Sequence, residues 1–182
     1  PQCRSTVYAP SNMEDGTGVG LENLTDSSAP TMQMGLEHVC AYSGDSSRHG
    51  GSIRGKNIMF LDTNRIIFPA AALVVLMDLD TSRQGYFSGH TEDVTCITVP
   101  PDRSIAASGQ VGKDGRVMIW DASKIEAGTR EYNPAVELFM LGGTRGVCGL
   151  NFSGDGRFLV ALGMDEGHLM VIFDWANAEI VA

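Results

Sequence analysis

The chain has 182 residues, of which 43% are hydrophobic and 19% are charged, and this is enough apolar material for the core of one ordinary domain. The net charge of −9 argues against a nucleic-acid partner, because neutralising phosphates requires a basic surface. No run reaches the roughly 18 to 20 apolar residues that a membrane-spanning helix needs. The composition therefore predicts a soluble protein with neither a nucleic-acid nor a membrane partner.

The distribution of glycine, proline and cysteine predicts an all-β protein with reduced thiols. Twenty-two glycines and seven prolines stand among short runs rich in Val, Ile, Leu and Phe, a pattern that favours short strands joined by turns. The four cysteines show no Cys-x-x-Cys spacing, as expected for thiols of a cytosolic protein. The first residues show no basic region followed by an apolar stretch, so no secretory signal is expected.

The first 34 residues differ in composition from the rest of the chain. They are rich in Ser, Thr, Gly, Asn and acidic groups, and their apolar residues are isolated and follow no period. Such a segment buries too little apolar surface to fold by itself. Residues 1–34 are therefore predicted to be an extended or disordered tail, which is ordered only if a neighbouring domain or a partner offers it a surface.

From Leu36 onward, short apolar runs recur about every ten residues, a spacing that sandwiches, barrels and propellers share. Clusters of Asp, Asn, Gly, Pro and Ser between the runs are turn signals. The runs cover residues 36–42, 58–61, 66–76, 85–87, 94–99, 105–108, 117–120, 138–141, 147–152, 158–162 and 169–173.

An internal repeat discriminates among these folds. Residues 94–106 and 147–159 each have the pattern strand, tight turn, strand, and each is followed by a third strand that ends in an aromatic residue and Asp. The two copies begin 53 positions apart, whereas the repeat unit of WD40 propellers has about 40 to 45 residues. An insertion at 122–135 accounts for the excess length.

At these positions the chain resembles the WD40 family. Gly89-His90 opens the first copy and Trp120-Asp121 closes it, as the two signature dipeptides of that family do. The resemblance implies a buried chain of hydrogen bonds that fixes how the strands of one four-stranded blade pack. Its predicted members, scaffold residues rather than catalytic ones, are His90, Ser108, Asp114 and Trp120.

The second copy departs from the WD40 pattern. Gly143-Thr144 stands in place of Gly-His, and Phe173 stands in place of the Trp. The hydrogen-bonded chain is therefore not expected there, so packing has to hold that blade together. Asp165 is expected only as a turn residue.

A closer match is to the echinoderm microtubule-associated protein-like family, which carries a hydrophobic motif just before its WD repeats. Residues 36–44, Arg48 and residues 66–76 resemble that motif, and residues 88–94 and 107–113 resemble the first blade. The end of the second copy, at 173–175, is similar to the Trp-Asp-Trp of the family. His38, Cys40 and Pro100 depart from the family pattern, which suggests a divergent branch.

The resemblance implies a non-catalytic scaffold whose partners are tubulin, microtubules or microtubule-associated proteins, in the cytoplasm and cytoskeleton. A component of the doublet microtubules of a cilium or flagellum axoneme is the finer hypothesis. A generic WD40 adaptor for protein–protein interactions is one alternative. A nucleotide-binding subunit that uses the loop from Gly50 to Lys56 is another.

The only locally basic stretch supplies a candidate partner contact, composed of Arg48, Arg54, Lys56 and Arg65. Asp45 and Asp62 dilute its charge, so a solvated loop competes with this interpretation. Because tubulin surfaces are acidic and this chain is acidic too, non-specific attraction does not explain binding.

Two motifs resemble ligand sites without meeting their requirements. The loop from Gly50 to Lys56 nearly matches a phosphate-binding P-loop, but Asn57 replaces the Ser or Thr and a strand-like run follows where a helix should begin. The stretch from Asp78 begins like a calcium loop, but Arg83 stands where the turn glycine belongs. No catalytic residue, metal or cofactor is predicted.

The predicted architecture is an incomplete all-β WD40 β-propeller of about two to three four-stranded antiparallel blades. It divides into the tail at 1–34, the hydrophobic motif and the preceding-blade strands at 35–88, a WD40 repeat with an insertion at 89–136, and a degenerate repeat at 137–182. Propellers have four or more blades, so further blades are expected from the same or neighbouring chains.

Overall fold

The structure is a computed structural model that describes residues 35–42, 57–113, 115–141, 144–167 and 169–182. The secondary structure of these residues consists of 13 strands and one short 3-10 turn, Ala122–Lys124. The predicted tail at 1–34 lies outside the described residues. In chain order the strands are β1 (Met59–Phe60), β2 (Arg65–Ala70), β3 (Leu73–Asp78), β4 (Gln84–Phe87), β5 (Val94–Thr98), β6 (Ala106–Gln110), β7 (Arg116–Trp120), β8 (Arg130–Glu131), β9 (Val136–Phe139), β10 (Val147–Phe152), β11 (Phe158–Gly163), β12 (Met170–Asp174) and β13 (Glu179–Ile180).

The strands form three sheets. Sheet 1 has the order β1-β2-β3-β4-β8, sheet 2 has β5-β6-β7-β9, and sheet 3 has β10-β11-β12-β13. All neighbours pair antiparallel except β4 and β8, which are parallel. The prediction of an all-β, incomplete WD40 propeller is therefore confirmed, with a fifth strand on sheet 1 that the sequence did not indicate.

The apolar run at 66–76 forms two strands, although its composition is nearly uniform. A two-residue turn separates β2 from β3, and Ala71 there has a φ of 51°, as the tight turns of hairpins require. The register pairs Ala70 with Leu73 and Arg65 with Asp78. The run at 36–42, by contrast, forms no strand.

Sheet 2 lies between the other two sheets, and its strands β5, β6 and β7 are almost completely buried. A strand covered on both faces needs apolar or small residues at every position, which explains the run from Ala106 to Gly109. A Cβ atom at Gly109 would lie 2.8 Å from Cβ of Val147 and 2.9 Å from Sγ of Cys96. Glycine therefore allows sheets 2 and 3 to approach closely.

Two hydrophobic cores fill the spaces between the sheets. The first lies between sheets 1 and 2 and includes Ile67, Val74, Phe87, Ile97, Met118 and Trp120. The second lies between sheets 2 and 3 and includes Cys96, Ile119, Val147, Leu159, Val171 and Phe173. Because sheet 2 contributes to both cores, the stacking resembles adjacent blades of a propeller.

The insertion at 122–135, which we call the strap, connects β7 to β9 by way of sheet 1. The Gly128 N–H donates to the Gln84 carbonyl at 2.7 Å, and the Ser88 N–H donates to the Glu131 carbonyl at 2.8 Å. β8, within the strap, thereby covers the outer edge of β4. The division into segments at 35–88, 89–136 and 137–182 stays a prediction. Sheet 1 combines β1 to β4, from the first of these segments, with β8 from the second.

The segment at 36–42 packs on the face of sheet 1 that is turned away from sheet 2. Val39 contacts a small core of Phe68, Ala70, Val75 and Tyr86. The Gln84 side chain accepts from the Val39 N–H at 2.8 Å and donates to its carbonyl at 3.1 Å. This paired hydrogen bond ties the first part of the hydrophobic motif to sheet 1.

Candidate functional site

The described residues form a buried hydrogen-bonded chain in sheet 2, which we call the brace. Trp120, at the end of β7, donates its indole N–H to Oγ of Ser108 at 3.0 Å. Nε2 of His90 lies 2.6 Å from the same oxygen. All three residues are buried, so these bonds replace water that the groups lost on folding.

Gln110 extends the brace at its other end, and this residue was missed by sequence reasoning. Its Oε1 lies 2.8 Å from Nδ1 of His90 and accepts from the Thr91 N–H at 3.4 Å. Gln110 follows Ser108 by two positions on β6, so both side chains lie on the same face of the strand. That alternation was the available signal.

The direction of the hydrogen bonds assigns the protons of His90. The Gln110 Oε1 is an acceptor only, so Nδ1 of His90 carries the proton and donates to it. Nε2 then accepts from the Ser108 hydroxyl, whose oxygen accepts from Trp120. The imidazole is neutral, and burial lowers the pKa of His90 to about 4.

The brace also contacts sheet 1 through aromatic stacking. Phe87 of β4 lies parallel to Trp120, with the ring centroids 4.8 Å apart. The same Phe87 ring meets His90 edge-on, with a centroid distance of 5.8 Å. A single aromatic side chain therefore contacts two members of the brace, Trp120 and His90, and links the two sheets.

Of the four residues predicted for this network, the structure brings three together: His90, Ser108 and Trp120. Asp114 lies outside the described residues. Gln110 is the partner that the structure shows at Nδ1 of His90.

Among the described residues, sheet 3 shows no equivalent of the brace, because Thr144, Ala161 and Phe173 stand at the positions of His90, Ser108 and Trp120. The register pairs Leu159 with Phe173 as it pairs Ala106 with Trp120. Two positions further along β11, Ala161 stands where sheet 2 has Ser108. Removing donor and acceptor together leaves no buried polar group unsatisfied.

Thr144, which stands in place of the histidine, is buried and bonds locally. Its hydroxyl donates to the Gly146 carbonyl at 2.6 Å and accepts from the Gly146 N–H at 3.0 Å. Asp165 accepts from the Leu169 N–H at 3.3 Å and closes the turn between β11 and β12. Both side chains organise the backbone near them.

The candidate basic contact lies almost entirely outside the described residues, because Arg48, Arg54 and Lys56 fall in the range 43–56. Arg65 is described, and its Nε lies 2.6 Å from Oδ2 of Asp62. Asp62 also accepts from the N–H groups of Asn64 and Arg65, and the first of these bonds is the main cause of its lowered pKa. Arg65 is thus an ion-paired, half-exposed cation beside a turn.

The two motifs that resemble ligand sites fare differently. The loop from Gly50 to Lys56 lies outside the described residues. Asp78 is described, and its Oδ1 accepts from both the N–H and the hydroxyl of Thr81 at 2.8 and 2.7 Å, which closes the turn between β3 and β4. The described ranges hold no group of three or more His, Cys, Asp or Glu residues that could bind a metal ion.

Within the described part of the chain, no helix is long and apolar enough to cross a membrane.

Comparison with known families agrees with this geometry. The family described as WD40, WD domain, G-beta repeat, matches residues 81–121, the range that contains the brace. Stacked sheets of four or five strands and a His-Ser-Trp network define the chain as a WD40 β-propeller protein.

Comparison with curated proteins identifies the family. The chain is 30% identical to human echinoderm microtubule-associated protein-like 2, in an alignment that covers 84% of this chain and 23% of that relative. It is 29% identical to rat echinoderm microtubule-associated protein-like 1 over 97% of this chain and 21% of the relative. The 77 kDa echinoderm microtubule-associated protein of Strongylocentrotus purpuratus is 32% identical over 93% of this chain and 23% of its own length.

The chain belongs to the echinoderm microtubule-associated protein-like family of WD40 proteins. It spans less than a quarter of the length of each of these three relatives.

Proposed function

We propose that this chain is part of a non-catalytic scaffold protein that associates with tubulin or microtubules in the cytoskeleton. The observation that carries the proposal is its similarity, over 84% to 97% of its length, to proteins named for microtubule association. The similarity extends beyond the WD40 match at 81–121 to most of the chain.

The chemistry of the described residues supports a scaffold role. Both ring nitrogens of His90 are occupied by internal hydrogen bonds, so this histidine is not available as a general base. Burial raises the pKa of Cys96 to about 12, which keeps the thiol protonated and a poor nucleophile. His90 and Cys96 therefore serve packing rather than catalysis.

Co-sedimentation of the full-length protein with stabilised microtubules tests the proposal. We expect the protein to pellet with microtubules and to remain in the supernatant without them. A folded protein that stays in the supernatant at saturating microtubule concentration would contradict the proposal.

For the surface, we propose the basic stretch of Arg48, Arg54, Lys56 and Arg65 as the tubulin contact. Replacing all four residues with Gln is expected to weaken co-sedimentation at least about tenfold, because local contacts have to overcome repulsion between two acidic proteins. The matched control replaces four exposed cations elsewhere on the chain with Gln, namely Arg83, Arg103, Lys113 and Arg145. Equal weakening in both variants would exclude the basic stretch as a specific contact.

The finer proposal is a place on the doublet microtubules of a cilium or flagellum, supported by the departures at His38, Cys40 and Pro100 from the family pattern. A tagged protein in ciliated cells is expected to remain with axonemes after detergent extraction. A signal confined to cytoplasmic microtubules would contradict this location while leaving microtubule association intact.

A generic WD40 adaptor is the second candidate, and the family match at 81–121 favours it equally. Affinity purification from cells separates the two functions, because an adaptor would recover other proteins without tubulin. Nucleotide binding that disappears in the Lys56→Ala variant would instead support the loop from Gly50 to Lys56 as a nucleotide site.

A further inference from the structure

A groove of about 220 Å³ lies where two hairpin turns meet at one end of sheets 2 and 3. The turn between β5 and β6 forms one wall, and the turn between β10 and β11 forms the other. The side chains that the argument uses are Pro100, Pro101, Asp102, Ile105, Asp155 and Trp175.

The walls of the groove are fixed by contacts between the turns. Trp175 donates its indole N–H to the Gly156 carbonyl at 2.8 Å and meets the Phe152 ring edge-on, with a centroid distance of 6.3 Å. A Cβ atom at Gly156 would lie 3.6 Å from Cβ of Pro100, so the second turn packs on the first. The groove is thus formed before any ligand arrives, which lowers the entropy cost of binding.

Two carboxylates give the groove its charge. Asp155 accepts from the Ser153 hydroxyl and from the Arg157 N–H, and these bonds lower its pKa. Asp102 accepts from the N–H and the hydroxyl of Ser104. Both carboxylates are exposed and face the groove that they line.

Arg157 offsets the charge of the groove only in part, since its charge is the smallest of the causes that lower the pKa of Asp155. Arg157 lies 3.8 Å from a carboxylate oxygen of Asp174 and over the Phe158 ring at 4.9 Å. Arg103 is exposed and is not among the residues that line the groove.

We propose that this groove binds an arginine side chain on an exposed basic segment of a partner protein. A guanidinium group is planar, stacks on an indole ring and pairs with carboxylates. Trp175 and the two aspartates offer these partners within one groove, and the net charge of −9 attracts basic partners at long range. This interaction is independent of microtubule association, because its ligand is basic whereas tubulin is acidic.

Tryptophan fluorescence tests the proposal with a defined probe. The chain has two tryptophans, and Trp120 is fully buried, so a ligand-induced change reports Trp175. We expect the tripeptide acetyl-Gly-Arg-Gly-amide to produce a saturable change. The citrulline analogue has the same shape without the charge and is expected to bind at least about fivefold more weakly. No saturable change with the arginine peptide, or equal binding of both peptides, would overturn the proposal.

Charge-removing variants locate the binding site. Asp155→Asn keeps the one oxygen that accepts both hydrogen bonds of its turn, whereas Asp102→Asn keeps an acceptor for one of its two. Each variant is expected to weaken arginine-peptide binding about two- to fivefold. Glu166→Gln, in the turn between β11 and β12 at the opposite end of sheet 3, removes the same charge as a control. Equal weakening in the control would show that net charge alone attracts the peptide and would overturn the assignment to the groove.

Discussion

Ser108 is the residue on which the brace depends, because its single hydroxyl serves both Trp120 and His90. The Ser108→Ala variant leaves two buried polar groups without their partner, and each such group costs about 1 to 3 kcal/mol. We expect a decrease of about 2 to 4 kcal/mol in the free energy of unfolding, measured by urea titration. In sheet 3, Ala161 occupies the position equivalent to Ser108, and Phe173 occupies that of Trp120, so alanine is tolerated where no indole N–H needs an acceptor.

A double-mutant cycle checks this explanation. Adding Trp120→Phe to Ser108→Ala removes the unpaired indole N–H, so the combined loss should be smaller than the sum of the two single losses by about 1 kcal/mol. Strictly additive losses would show that the indole and the hydroxyl do not interact.

His90 gives the chain a defined pH dependence. Its pKa falls from the ordinary 6.5 to about 4 in the folded chain, so the unfolded chain binds the proton first as pH falls. The contribution of neutral His90 to the free energy of unfolding is fully present above about pH 6.5. It is lost towards pH 4, which lowers the free energy of unfolding by up to about 3 kcal/mol. In urea titrations between pH 7 and pH 5, the free energy of unfolding of the His90→Gln variant should decrease less with falling pH than that of the parent chain. His38→Gln serves as the control, and an unchanged slope in His90→Gln would contradict the assignment.

At this scale, sequence reasoning was strongest where residue types have few substitutes. Gly89-His90 and Trp120-Asp121 indicated where a brace would lie, because a histidine, a hydroxyl and an indole N–H are complementary partners. Gln110 was not recognised, because a glutamine in a strand carries no pattern of its own. Only the spatial position of its amide shows which group it serves.

Among the elements, the strands were the easiest to predict and the strap the hardest. Strands leave a local signal, since apolar runs alternate with turn residues. The pairing of β8 with β4 leaves none, because it joins backbone atoms of residues about 45 positions apart, such as Tyr86 and Arg130. The segment at 36–42 was misleading for the opposite reason, since Val39 packs on a sheet face while the segment forms no strand.

Gly85 is the position where the strap can be displaced. A Cβ atom there would overlap the Glu126 carbonyl and lie 2.8 Å from Cγ2 of Ile125. We expect Gly85→Ala to expose the edge of β4 and to increase hydrogen exchange at the N–H groups of Tyr86 and Ser88 about tenfold or more.

Gly154→Ala is the matched control, since a Cβ atom there has no neighbour within 4 Å. Protection that is unchanged in Gly85→Ala would mean that the strap does not cover this edge in solution.

For the whole molecule, the two cores share sheet 2, and this arrangement predicts one cooperative unfolding transition. Leu159 is fully buried in the core between sheets 2 and 3, far along the chain from the brace. Leu159→Ala should lower the free energy of unfolding by about 2 to 5 kcal/mol. The exposed Leu79 provides a control, and Leu79→Ala should change it by no more than about 0.5 kcal/mol.

The two tryptophans make this cooperativity measurable. In the Trp175→Phe background the fluorescence reports Trp120, which belongs to the other core. If sheet 2 couples the two cores, Leu159→Ala lowers the urea midpoint measured by Trp120 fluorescence. The decrease then equals that of the midpoint measured by far-ultraviolet circular dichroism. An unshifted Trp120 transition would show that each pair of sheets unfolds independently. In that case the stack would behave as a repeat array, whose blades are stabilised only by contact with their neighbours.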